Sequence, residues 1–243
     1  MATPPRRRPP LALLLVGAAG LTALAARQAR RRRDAEDEAR PADLGVMRAI
    51  HAGLRRDAGR LDALAAQLER RGGGSADLPP GWTTFRRTLQ VHHAAEDDDL
   101  WPALRSHLTD DADLRQLDVM VEEHRGLTAA IEAVDAALAG GVGVTAAARE
   151  LGEVLGRHLD HEEQAVFPLL ERHLSQREWR SFLRTERNRR RPRERPEFLT
   201  WVLDDADDED AAAVMAELPR PARLVYRRVL RPRYDARQRW QPA

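Results

Sequence analysis

The chain has 243 residues, 33% of them charged, 42% hydrophobic and 5% aromatic, with a formal net charge of +1. That length accommodates one or two domains with a substantial core. The balance of charge leaves no global field to attract nucleic acid or acidic partners. Cysteine is absent, which excludes disulfides, thiolate metal sites and thiol chemistry together. All 40 basic residues are Arg, and Ala, Leu and Glu are abundant, a profile that favours packed amphipathic helices over sheets.

Residues 1–40 read as an N-terminal arm. Arg6-Arg7-Arg8 precedes an apolar run from Leu11 to Ala26, and Arg30 to Arg33 follow it. As a helix this run spans about 24 Å, short of the ~30 Å hydrocarbon core. It therefore allows weak membrane association through residues 11–26, with the Arg bias leaving the rest on the cytoplasmic side; without an anchor the expected location is cytoplasmic. A true start near Asp43 fits the same pattern.

Four helices follow. The first runs from about Asp43 to Arg71, with Leu44, Met47, Leu54, Leu61, Leu64 and Leu68 at helical spacing. Gly72-Gly73-Gly74-Ser75 and Pro79-Pro80-Gly81 break it. The second covers Thr83 to Leu108, the third runs from Asp111 to Gly140-Gly141, and the fourth from Thr145, a plausible cap, to His173. Short links between long helices predict antiparallel neighbours, so residues 41–177 are expected to form an all-α, up-down four-helix bundle. Residues 178–243 read as a C-terminal helical extension, with helices over Gln176–Arg190, Glu197–Leu203, Asp207–Leu218 and Pro219–Tyr234. The acidic run Asp204 to Asp210 is read as negative charge gathered at a helix N-terminus.

Two stretches repeat each other. His92-Xaa3-Glu96 runs into Leu100-Trp101-Pro102, and His158-Xaa3-Glu162 runs into Val166-Phe167-Pro168. Upstream, Val46-Met47-Xaa3-His51-Xaa-Gly53-Leu54 answers Val119-Met120-Xaa3-His124-Xaa-Gly126-Leu127. Chance rarely places scarce residues in register twice, so the chain reads as a duplicated helix pair. Residues four apart share a helix face, so each His-Xaa3-Glu presents an imidazole and a carboxylate together. With His51 and His124 pointing inward at matching height, four imidazoles and two carboxylates converge in an apolar interior. Ionised carboxylates are costly to bury uncompensated, and a pair of metal ions resolves the cost, each Glu spanning both. Mixed nitrogen and oxygen donors suit iron, ahead of zinc and manganese.

These residues resemble the hemerythrin-like family, also called the HHE cation-binding domain, whose founding members bind dioxygen at a non-haem di-iron centre. The resemblance rests on His51, His92-His93-Ala94-Ala95-Glu96, Glu123-His124 and His158-Leu159-Asp160-His161-Glu162-Glu163, and covers roughly Asp43 to Arg177. It implies His51, His92, His124 and His158 as terminal ligands, Glu96 and Glu162 as bridging carboxylates, and two iron ions as cofactor. Oxygen-carrying members have a further His where this chain has Thr128, and an Asp five positions after the last His, where Glu163 stands one beyond Glu162. These departures argue against reversible oxygen storage. They favour a protein that binds or senses a small diatomic ligand, O2 or NO. The alternatives are a di-iron oxidoreductase acting on peroxide or Fe(II), and a metal-gated helical adaptor whose extension engages a protein partner.

His93 faces about 100° away from His92 and its repeat counterpart is Leu159, so it is expected at the surface or behind the ligands. His161, opposite Ala95 in the repeat, is expected in the same class. His107 and His173 lie about 22 Å from the ligand histidines and should be exposed. Trp101 and Phe167 are expected to pack the end of the bundle, with Pro102 and Pro168 bending its helices. The Arg-rich stretches 27–33 and 187–195 lack interleaved aromatics and read as solvated helix ends rather than a nucleic-acid surface.

Overall fold

A computed structural model describes residues 27–28, 30–71, 79–237 and 239–240. The apolar run 11–26, the arginines at 6–8 and the Gly72–Ser75 break lie outside them. No described helix is long and apolar enough to cross a membrane.

The described chain is all-α. The first long helix, α1, spans Gly45–Arg70, and the second begins as α2, Pro80–Ala95. It continues through a π-helical turn, π1, Glu96–Leu100, into α3, Trp101–Arg105. The third, α4, covers Asp111–Gly140. The fourth repeats the pattern of the second: α5, Val144–His161, then π2, Glu162–Val166, then α6, Phe167–His173.

Local chemistry explains the ends. Pro80 opens α2 rather than belonging to the break, because an N–H is not needed at the first helical position. Asp110 caps α4, its carboxylate accepting from the Ala112 and Asp113 N–H groups. Gly141, at φ 67°, closes α4 in the left-handed region. Thr145 does not cap α5. Its hydroxyl and backbone N–H both donate to Glu69, and left-handed Gly143 precedes the helix instead.

Pro102 and Pro168 act by widening a turn. A proline offers no N–H to the carbonyl four residues back and its ring crowds that carbonyl. The chain slips to five-residue bonding: Trp101 N–H donates to the Glu96 carbonyl, and Phe167 N–H to that of Glu162. The same device appears before Pro232, where Tyr226–Leu230 forms a third π turn with no histidine or carboxylate in it. Proline, not the site chemistry, causes these turns.

The four long helices form a closed ring, α1 packing on α5, α5 on α4, α4 on α2 and α2 on α1. Cross-links give their directions. Glu69 near the end of α1 meets the start of α5, while His51 near its beginning meets Glu163. Trp82 bonds Asp135 and His124 bonds Asp97, which sets α2 antiparallel to α4. Buried apolar side chains fall into two clusters, one around Leu54, Leu61, Phe85, Leu127 and Leu155, the other around Met47, Leu100, Trp101, Met120 and Phe167. Between them lies a polar layer.

The extension packs back on the bundle. Helix α7, Gln176–Arg189, starts with a capping box in which Ser175 and Glu178 satisfy each other's backbone N–H. It buries Trp179 and Phe182. Then come α8, Arg195–Val202, α9, Asp208–Ala216, and α10, Arg220–Val225, which leads through the third π turn to α11, Arg231–Asp235. Asp207 caps α9 by accepting from Asp210 N–H, as the acidic run suggested. Trp201 lies flat against Gly53 and donates its indole N–H to Asp57 at 2.6 Å. Residues 30–38 are also helical and are tied to α7, Arg180 pairing with buried Asp37.

Candidate metal centre

The six expected residues all lie in the polar layer and all are buried, at 0% exposure for His51, His92, Glu96 and Glu162, 1% for His158 and 4% for His124. Each long helix supplies at least one. Each of the two carboxylates lies between two of the histidines. Glu96 turns Oε1 to His92 Nε2 at 3.1 Å and Oε2 to His124 Nε2 at 3.5 Å. Glu162 Oε2 lies 3.4 Å from His51 Nε2 and 3.9 Å from His158 Nε2.

The duplication is visible as an interlock. The residue after Glu96 and the residue after Glu162 each reach across to a histidine of the other copy. Glu163 bonds His51 Nδ1 at 2.9 Å, and Asp97 bonds His124 Nδ1 at 2.8 Å. The aromatic of each copy does likewise, Phe167 lying 5.4 Å from the His51 ring and Trp101 6.4 Å from that of His124. These two aromatics wall the site rather than the end of the bundle. The symmetry breaks at His158, whose Nδ1 is held by Glu123 at 2.9 Å, because position 50, opposite Glu123, is Ile.

Holding Nδ1 leaves Nε2 aimed inward. Among the described residues, the Nε2 atoms of His51, His92, His124 and His158 have no hydrogen-bond partner, nor do the carboxylate oxygens of Glu96 and Glu162. Several are close to one another but poorly aligned for hydrogen bonding, so distance alone does not satisfy them. Buried polar atoms are ordinarily paired, and a converging set of unpaired lone pairs is what a cation satisfies. Burial presses on the same groups. It pushes His92 well below the usual imidazole range, with the neighbouring imidazoles adding to the effect, so the ring is neutral with its lone pair free. Burial, then the Glu162 carboxylate beside it, pushes Glu96 well above the carboxylate range. Glu163 goes the other way, to about 2: burial opposes this, but the hydrogen bonds to His51 and Arg55 outweigh it.

His93 is a correction to the sequence reading. It is 8% exposed, stacks on His124 with ring centroids 4.0 Å apart, and its Nε2 is unpartnered. Potential ligand atoms gather in two groups, His51, His92, Glu96 and Glu162 in one, and His93, His124 and His158 in the other. The Thr128 hydroxyl bonds its own helix at the His124 carbonyl. The doubled His in the sequence was the available signal, and the Leu159 counterpart masked it. His161 stays outside the cluster, its Nδ1 on Glu123 at 2.8 Å and its Nε2 on Gln116 at 3.0 Å. His107 is exposed and pairs with Glu178, and His173 is half-buried.

The family of the hemerythrin HHE cation binding domain matches residues 42–170. No curated protein and no solved structure matches the chain. With more than half of the chain matched and its histidines and glutamates gathered into a layer fit for cations, this protein belongs to the hemerythrin HHE cation-binding family.

Proposed function

We propose that the protein holds two iron ions and uses them to bind or sense a small diatomic ligand, O2 or NO. The observation that carries this is the interlocked layer of inward-aimed, unpartnered Nε2 and carboxylate atoms. Residues His51 and His92 would hold one ion, His93, His124 and His158 the other, and Glu96 and Glu162 would be shared. The donor set is nitrogen and oxygen only, which favours iron. Such ions would supply redox-active centres able to take up a diatomic molecule. The chain's part is to keep His92, His93 and His158 neutral by burial, orient His124, His158 and His51 through Asp97, Glu123 and Glu163, and exclude bulk water with Trp101 and Phe167.

The two halves differ. The group containing His51 and His92 has two imidazoles where the other has three, so an exogenous ligand is expected there. Anaerobic reduction of the iron-loaded protein followed by air should develop near-ultraviolet and visible charge-transfer bands. A protein that stays colourless with iron loaded contradicts diatomic binding. Steady consumption of hydrogen peroxide or Fe(II) above that of free iron would instead favour an oxidoreductase.

A further inference from the structure

A groove of about 1000 Å³ lies between the helix of residues 30–38, α7, α8 and the segment from α9 through the third π turn. Val46 apart, every residue lining it falls outside the matched residues 42–170. Its floor is apolar. Leu183, Phe198, Leu199, Leu218, Val225 and Leu230 line it, and none of them is fully buried. Leu183, Phe198, Leu199 and Leu230 pack on the core with one side and leave the other to the groove. The apolar surface continues at the mouth. Among the described residues five large apolar side chains are exposed, and three of them, Leu224, Val225 and Val229, fall within six positions at 57%, 49% and 36%. Val225 and Val229 stand one turn apart on the same side of their helix, and Val225 is itself part of the groove. Single exposed apolar residues are ordinary, but a patch continuous with a groove marks a binding surface.

The charges around the groove do not cancel. Arg180 takes up Asp37 and Glu217, Arg33 lies 3.9 Å from Asp37, and Glu186 faces Arg190 at 3.3 Å. Among the described residues, Arg30, Arg184, Arg187 and Arg195 then line it without an acid partner, against one unpaired acid, Asp34. An apolar floor under a cationic rim complements an apolar chain that ends in an anion. Guanidinium groups match a carboxylate in shape as well as charge. The chain's own apolar run, Leu11 to Ala26, is flanked by Arg6-Arg7-Arg8 and Arg30 to Arg33, so it would add positive charge to a rim already in excess. The volume is that of a small-molecule site rather than a protein contact. We propose that this groove binds a long-chain carboxylate, with the alkyl chain along Phe198, Leu199 and Leu230 and the head group among Arg184, Arg187 and Arg195. The site stands apart from the metal layer and needs no metal.

The test is isothermal titration of the full chain with dodecanoate below its micelle concentration, which should show one saturable site per chain. Decanoate should bind about tenfold more weakly, because two fewer methylenes leave water. Dodecyltrimethylammonium, with the same tail and the opposite charge, should bind more weakly than dodecanoate. Arg184→Gln combined with Arg187→Gln should weaken dodecanoate binding about tenfold and erase the preference for the anion. Val225→Asp, at an exposed position, puts a negative charge at the mouth and should also weaken it. The chain-length and head-group series use the wild type, so they decide the matter even if a variant fails to fold. Absence of saturable binding, equal binding of the two head groups, or an affinity that folded variants leave unchanged would overturn the site. So would binding to phosphatidylglycerol vesicles with no uptake of monomeric dodecanoate, which would make this face a membrane contact.

Discussion

His51 and His124 are gripped alike from opposite sides of the layer, each by the acid that follows the other copy's buried Glu. Asp97→Asn and Glu163→Gln preserve shape but remove the charge behind the imidazole. Each should weaken metal binding about 10- to 100-fold, read by chelator competition. His93→Ala should reduce metal uptake in the three-imidazole half, whereas His107→Ala, on the surface, should leave it unchanged. The metal-free protein should also respond to acid. His92, His93 and His158 are held below the imidazole range mainly by burial, so below about pH 6.5 the unfolded chain binds protons that the folded one refuses. Their contribution therefore falls as pH drops through that value. Glu96 and Glu186, raised above the usual carboxylate range chiefly by burial, work in the opposite sense, but they are two carboxyls against three imidazoles. Glu163 adds stability that is present above about 4.5 and lost on the way down to about 2. The urea midpoint of metal-free protein should be lower at pH 5 than at pH 7, and a higher one would contradict this balance.

At the scale of helices, repeated residues need not have repeated surroundings. Gly53 and Gly126 correspond in the duplication, but a Cβ at Gly53 would meet the Trp201 ring at 2.8 Å, while one at Gly126 meets nothing within 4 Å. Gly53→Ala should destabilise by roughly 1–3 kcal/mol through overpacking. Gly126→Ala should stabilise by up to about 1 kcal/mol, because alanine is the better helix former. Thermal melts of the two variants should move in opposite directions. The same asymmetry explains what was legible in the sequence. Helical periodicity and glycine stops identified the helices, and the paired His-Xaa3-Glu motifs pointed to six of the seven residues whose donor atoms gather in the layer, since duplication exposes positions that matter twice. His93 escaped because a strict twofold argument compares it with Leu159 and an ideal helix turns it away from His92. Asp97 and Glu163 stood in plain view within acidic runs, where nothing separates a carboxylate that holds an imidazole from one facing water.

Across the whole molecule, the extension is part of the bundle's surface rather than a tail. Trp201 closes on α1, Trp240 lies against Gly81, and α7 buries Trp179 and Phe182 in the bundle's core. The two tryptophan contacts join residues 148 and 159 positions apart, beyond the reach of periodicity or repeats. Arg190, read from its run as a solvated helix end, is buried for the same reason. A layer of unsatisfied imidazoles and carboxylates between two apolar clusters destabilises the fold until cations fill it. Metal binding should therefore raise the melting temperature by linkage, and chelation should lower it. His92→Ala and Glu96→Ala should abolish most of that metal-dependent gain, while His107→Ala keeps it. The most direct measurement is elemental analysis of the protein purified from its native host. The account predicts two metal ions per chain, iron in excess of zinc, lost together on substitution of Glu96 or Glu162. A wild-type protein that is folded yet free of bound metal would contradict it.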